Sequence, residues 1–249
     1  MNRILFEQSE TGTPEQILLP LTDRRAEHIL KVLRSKCGDS IRVGVIDGRA
    51  GNAQVTDISA EGIRLKAVFD TPSPEPWLDL LLAMPRPKVL HRLWAELAAI
   101  GFGRIIIVNA AKVEKFYFDN HWLDPESWRP LLVEGLEQSG ATRLPEVIVK
   151  RAFKPFIQDE IPHLYGNAPK WVAHPRLSDS GQLITAPRTV RGLQRPLLAV
   201  GPEGGWTDFE LNLMFEAGFS PISLGDRALR TDTACIALAG ALAGAFAGK

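Results

Sequence analysis

The sequence predicts a two-part α/β protein in which a small β-rich domain, residues 1–72, precedes a larger domain, 77–249, built on a parallel sheet. Three observations carry this. The stretch DTPSPEPW places three prolines within five positions, Pro72 to Pro76, which forbids a helix interior or a central strand and reads as a linker. Before it lie short β-type runs with one helical pattern. After it, near-continuous apolar runs of strand length alternate with helical stretches, as in a parallel sheet covered on both faces.

The first domain has β-type runs at Arg3–Phe6, Ile17–Leu21, Ser40–Ile46, Ala53–Ile58 and Ile63–Phe69. IRVGVIDGRAGNAQVTDIS alternates apolar and polar residues about a Gly/Asn/Asp turn, which is a hairpin signal. TDRRAEHILKVLRSKCGD puts Thr22 ahead of a helical pattern (Ala26, Ile29, Leu30, Leu33) that ends at Gly38, with Arg34 and Lys36 in its last turn. Its polar face carries Arg24, Arg25, Lys31 and Arg34. These cations fit either a solvated face or an RNA contact.

In the second domain, strands are expected in WLDLLLAM, Arg104–Ala110, Lys170–His174, Pro196–Val200 and Ser220–Gly225. Helices are expected in PKVLHRLWAELAAIG, with Pro87 near the first turn, in DPESWRPLLVEGLEQSG and in TDFELNLMFEAG. A final helix opens at Thr231 or Asp232 and runs to about Gly248. Its Ala- and Gly-rich run is too short to favour a bilayer span, and small residues suit burial or a subunit interface. In open α/β sheets a ligand sits beyond the carboxyl ends of the strands, which directs attention to the loops there.

Composition narrows the function classes. The chain balances 29 Lys and Arg against 29 Asp and Glu, so it has no polybasic coat and any nucleic-acid contact must be a local patch. MNRILFEQSE lacks the apolar core of a signal peptide, and no run is long enough for a membrane span, so a cytoplasmic protein without a membrane partner is expected. Cys37 and Cys235 lie far apart without metal-ligand spacing and read as unpaired thiols in a reducing compartment.

The loop GPEGGWTDFE, between an apolar strand and a helix, is the most informative stretch. No Lys follows its glycines as a P-loop requires, and Gly201, Gly204 and Gly205 do not make GxGxxG. Two readings remain. In one, the glycines only permit a sharp turn before a helix whose Thr207 and Glu210 form a capping box. In the other, the same turn also lets backbone groups approach an uncharged base or compact cofactor between the apolar walls of Leu198, Val200, Ile222 and Leu224. LGDRALRTDTACIALAG adds Gly225 and two arginines, Arg227 and Arg230, at a strand-to-helix turn. These either hold a phosphate or developing oxyanion or pair with Asp226 or Asp232.

Read together, GPEGG with W-T-x-x-E and LGDRALRTDTA one helix later resemble the C-terminal signature of the 16S rRNA uridine-N3 methyltransferases of the SPOUT superfamily. HILKVLR (His28 to Arg34) followed by GD resembles the family's PUA-like RNA-binding β-barrel. EGLEQSG (Glu134 to Gly140) with LPEV, and AHPR (Ala173 to Arg176), resemble its mid-domain motifs. The resemblance implies a SPOUT α/β domain with a C-terminal trefoil knot at about 170–249, S-adenosylmethionine as methyl donor, a homodimer, and methylation of N3 of one uridine in 16S rRNA or the small ribosomal subunit.

It also implies cofactor contacts at Leu198, Val200, Gly201, Glu203, Gly204, Leu224, Gly225, Leu229, Arg230, Thr231, Thr233 and Ala234. Arg230, with Arg227, is the candidate for holding the uracil oxygens or an adjacent phosphate. Glu203 is the nearest motif carboxylate, either accepting a proton or bonding loop amides. Arg3, Arg24, Arg25, Arg34 and Arg42, with Arg86 and Lys88 in the basic segment PRPKVLHR, are the candidate RNA grips. Ala99 and Ala141 depart from the family pattern and motivate two rival readings. One is an RNA-binding ribosome-assembly factor with an idle methyltransferase fold, and the other is a methyltransferase acting on a different RNA.

Overall fold

The computed structural model describes residues 2–12, 16–175 and 194–247. Arg176 of the AHPR motif and the rest of 176–193 lie outside the described residues. The described chain divides into two compact units, one of residues 1–75 with 133–144 and one of 76–132 with 145–249.

In the first unit, β1 (Ile4–Phe6), β2 (Gln16–Leu19), β3 (Ser40–Val45), β4 (Ala50–Ser59) and β5 (Gly62–Thr71) form a sheet of order β1-β3-β4-β5-β2. β1 and β3 run parallel, and every other pair is antiparallel. Alternate residues of all five strands converge on one buried cluster, among them Phe6, Leu19, Val43, Val55 and Leu65, so the sheet curls around its own core.

Ala26 and Ile29 close that core from a helix shorter than the sequence pattern suggests. It consists of α1 (Arg24–Glu27) and a π-helical turn (His28–Val32), and Asp23, not Thr22, is its N-cap. The chain leaves the helix by Arg34, whose φ of 54° is left-handed, so Gly38 lies beyond the helix end.

Residues 133–144 pack with the first unit because they carry partners that it needs. Glu137, 1% exposed, accepts the Asn2 and Arg3 amides on its carbonyl and pairs with Arg24 through its carboxylate. Thr142 donates its hydroxyl to Gly48 O at 2.6 Å. A single cut near residue 72 therefore does not separate the compact units.

The second unit is a six-stranded, wholly parallel sheet of β6 (Leu78–Ala83), β7 (Phe102–Val108), β8 (Glu146–Lys150), β9 (Lys170–Ala173), β10 (Leu197–Val200) and β11 (Ser220–Ile222). Its order is β11-β9-β10-β6-β7-β8. Every side chain of β6 and β10 is buried, which is why these strands read as unbroken apolar runs. The helices are α2 (Pro87–Ile100), α3 (Pro125–Ser139), the short α4 (Phe153–Pro155) and α5 (Ile161–Tyr165) flanking a π turn, α6 (Asp208–Glu216) and α7 (Thr231–Ala247). No described helix is long and apolar enough to cross a membrane.

Candidate functional site

Strand order reverses direction between β10 and β6, and the loops after β9, β10 and β11 leave the same, carboxyl edge of the sheet. They enclose a cleft of about 720 Å³. A parallel sheet opens a crevice at such a reversal because neighbouring connections leave toward opposite faces.

The GPEGG turn closes through a bond from the Gly205 amide to Pro202 O at 2.8 Å, with Gly205 at φ 69°, a conformation that only glycine adopts without strain. α6 begins with the expected capping box: Thr207 Oγ1 accepts the Glu210 amide, and Glu210 Oε2 accepts the Thr207 amide at 2.8 Å. Glu210 does more than cap. It is 3% exposed, and its Oε1 accepts the Ala111 amide at 2.7 Å, tying the α6 start to the loop after β7. Lys112, next in that loop, donates to Gly204 O at 2.9 Å and lies along the glycine.

Removing the Glu210 carboxylate removes the helix cap and also the tie to the Ala111 amide. Glu210→Ala is therefore expected to cost roughly 3 kcal/mol of stability and to weaken ligand binding in the cleft. Thermal melting and calorimetry check this, and a loss under 1 kcal/mol with unchanged binding would contradict it.

The two sequence motifs meet directly. Thr231, at the start of α7 and 4% exposed, donates its hydroxyl to Gly201 O at 3.4 Å, joining the LRTDTA turn to the glycine loop. Gly225, at φ 105°, is held by its amide donating to Ser223 Oγ at 3.1 Å.

Most of the residues expected to contact a cofactor line this cleft: Val200, Gly201, Glu203, Gly204, Leu224, Gly225, Leu229, Thr231 and Ala234, with Arg227 beside them. Leu198, Thr233 and Arg230 do not. Leu198 is buried deeper along β10. Thr233 falls two residues, more than half a turn, round α7 from Thr231, whereas Ala234 and Leu238 follow Thr231 on the lining face. Arg230 is exposed and pairs with Asp232 at 3.2 Å.

Glu203 is exposed, and its Oε1 accepts the Arg86 amide at 3.2 Å, so the motif carboxylate anchors the start of α2 to the loop. Lys112, His174 and Trp206 also line the cleft, although the sequence reading gave them no role. Lys112 was findable, since it follows a strand's carboxyl end.

Trp206 is 3% exposed and stands against Gly201, where an added Cβ would lie 3.1 Å from its Nε1. That Nε1 is buried without an acceptor among the described residues, and a ligand acceptor would satisfy it. The cleft thus fits a compact ligand with an apolar body, contacted largely by backbone groups between Val200, Ile222, Leu224 and Leu229.

The candidate RNA grips of the first unit separate into engaged and free groups. Arg25 faces inward: it bonds Asp23 and Glu10, donates to Leu5 O at 3.0 Å and lies over Phe6. Burial opposes its charge, but the hydrogen bonds to Glu10 and Asp23 outweigh that and raise its pKa, so the Arg25 donors are spent within the unit. Arg3 donates to Val43 O at 2.7 Å, and burial, then the nearby Arg42 charge, lowers its pKa. Arg24 is held at one end by Glu137. Arg34 and Arg42, and in the second unit Arg86 and Lys88, present exposed side chains.

Comparison with known proteins agrees with this geometry. Residues 71–243 match a family model described as an RNA methyltransferase domain, and residues 21–68 match one described as an RNA methyltransferase PUA domain. The ribosomal RNA small subunit methyltransferase E of Treponema pallidum (strain Nichols) is 33% identical, over 100% of this chain and 93% of that protein. Its namesake from Synechocystis is 30% identical, over 89% of this chain and 72% of that protein. A crystal structure of ribosomal RNA small subunit methyltransferase E from Neisseria gonorrhoeae, bound to S-adenosyl methionine, superposes with a TM-score of 0.73 at 22% identity, covering 99% of this chain and 98% of that one, a likeness of fold.

Proposed function

Since the chain belongs to the RNA methyltransferase family, we propose that it transfers a methyl group from S-adenosylmethionine to N3 of one uridine in 16S rRNA. The observation that carries this is the junction of the two motifs, where the Thr231 hydroxyl on Gly201 O makes one backbone-lined cleft of GPEGG and LGDRALRTDTA. The donor supplies an electrophilic methyl group on a sulfonium. Gly201, Gly204 and Gly225 would hold it by main-chain groups, Val200, Leu224 and Leu229 by apolar contact, with Thr231 and Ala234 flooring the site.

The remaining work falls to positioning and charge. N3 of uracil becomes nucleophilic when its imide proton passes to solvent water and negative charge spreads onto the ring oxygens. Arg227, at the cleft edge, and Arg230, at the start of α7, are the cations that meet those oxygens in this reading. Glu203 serves chiefly to hold α2 against the loop, given its bond to the Arg86 amide.

A base edge hidden in a duplex must be unpaired or extruded, and the PUA-like unit supplies a grip on flanking RNA through Arg34 and Arg42. The reading includes the trefoil knot, a cytoplasmic location and a homodimer. The dimer is supported by the small-residue helix α7 and its exposed Ile236.

Mass spectrometry of rRNA nucleosides from cells lacking the gene is expected to show loss of one N3-methyluridine, restored by the purified protein with S-adenosylmethionine. Persistence of every N3-methyluridine would refute the reading.

A further inference from the structure

We infer that Arg92 is a further substrate-binding residue, which grips an RNA phosphodiester beside the target nucleotide and which Asp232 holds in register with Arg230. The inference rests on the RNA-methyltransferase reading above.

Arg92 lies on α2, 140 positions before Asp232. The two meet at Asp232 Oδ2, which Arg92 Nη2 approaches to 3.3 Å and Arg230 Nη2 to 3.2 Å. The other carboxylate oxygen, Oδ1, accepts the Thr233 amide at 2.9 Å. One carboxylate therefore faces two guanidinium groups, and the trio carries a net positive charge.

Each guanidinium offers five N–H donors and gives only part of its fork to Asp232. Both side chains stay largely in solvent, 57% exposed for Arg92 and 68% for Arg230, so the remaining donors are open to an incoming anion. Two cations drawn to one oxygen repel each other, and a phosphate oxygen arriving between or beside them relieves that repulsion.

The rest of α2 supports a backbone contact more than a base contact. Lys88 is one turn before Arg92 on the same helix face, and both are exposed. Arg86, at the N-cap, donates its amide to Glu203. α2 is thus bonded to the glycine loop near its first residue and to the LRTDTA turn one and a half turns later, with Lys88 exposed between the two ties. Cations so arranged follow a phosphate chain, and such contacts set register without reading sequence. Arg230 then serves the reacting base while Arg92 fixes the strand on which the base hangs.

The test uses the full-length protein, S-adenosylmethionine and 16S rRNA or small ribosomal subunits. Arg92→Ala is expected to raise KM for RNA roughly tenfold, with kcat within about twofold and the Kd for S-adenosylmethionine unchanged. The slope of log Kd for RNA against log salt should fall by about one. Arg92→Lys keeps the charge without the fork, so it should retain the salt slope and recover only part of the affinity. Asp232→Asn should raise KM as well, because both arginines lose their common anchor.

A fall in kcat at unchanged KM, or an unchanged salt slope in Arg92→Ala, would overturn the inference. If Arg92→Ala does not fold, Arg92→Gln carries the same test. RNA binding measured without the methyl donor keeps the two claims separate. A wild-type protein that methylates no rRNA would sink the enzymatic reading, whereas the salt slope of the variants decides Arg92 independently.

Discussion

Arg230→Ala is expected to lower methyl transfer to 16S rRNA by roughly 10²–10³-fold while changing the Kd for S-adenosylmethionine by less than about twofold. The split follows from where the side chain stands. Arg230 does not line the cleft that would hold the donor, is 68% exposed, and its side chain bonds only Asp232 among the described residues, so its loss removes neither a cofactor contact nor a core contact. What disappears is a fixed cation at the turn where LRTDTA meets the glycine loop, where negative charge would develop on uracil. A preorganised donor at such a point acts mainly on the transition state, so kcat should carry most of the loss, in contrast to the KM effect expected at Arg92. Single-turnover methylation and calorimetry on the same preparation test this. Unchanged turnover would remove Arg230 from the mechanism, and lost donor binding would place it in the cofactor site instead.

Asp79→Ala is expected to be the most destabilising change, on the order of 3–5 kcal/mol, lowering the melting temperature by roughly 10 °C. Asp79 sits in the central strand β6, 2% exposed, where a lone carboxylate would be untenable. It persists because its oxygens are occupied: Oδ1 accepts from Arg195 Nε at 2.6 Å, and Oδ2 accepts the Tyr165 hydroxyl at 3.0 Å, with Arg104 3.7 Å away. Burial, and then the charge of Asp79, hold the Tyr165 hydroxyl well above the ordinary tyrosine range, so it is a donor at neutral pH. Alanine strands the Tyr165 hydroxyl and leaves two arginines without their shared anion. Asp79→Asn, which keeps an acceptor and the shape, should cost clearly less. Equal melting temperatures for the two variants would show that the retained acceptor and shape contribute nothing and that the lost charge carries the whole effect.

What could be read in advance follows the range of each interaction. The two-part organisation, the parallel sheet and the α6 capping box were legible because each is local: Pro72, Pro74 and Pro76 break structure where they stand, β6 and β10 are buried on both faces, and Thr207 reaches Glu210 within one turn. Strand β8 escaped because its apolar run, Val147 to Val149, is only three residues long and half-exposed at a sheet edge. The helical segment from Phe153 to Tyr165 escaped because Pro155 and Pro162 interrupt its period.

For the site, the sequence by itself determined which backbone could line a cleft and where it would open. Glycine spacing, a missing P-loop lysine and strand-end position are properties of adjacent residues. Only the tertiary structure decided which charges are available to a ligand. Arg25 and Arg34 look alike in TDRRAEHILKVLR, yet the fold closes Glu10 and Asp23 around one and leaves the other exposed. Glu203 reads as a candidate proton acceptor and Asp232 as a partner for a nearby arginine, yet each also bonds the start of α2, through the Arg86 amide and Arg92, more than a hundred positions away. A charged group's role depends on what lies within a few ångströms of it, and in a parallel sheet those neighbours arrive by long crossovers that no local pattern records.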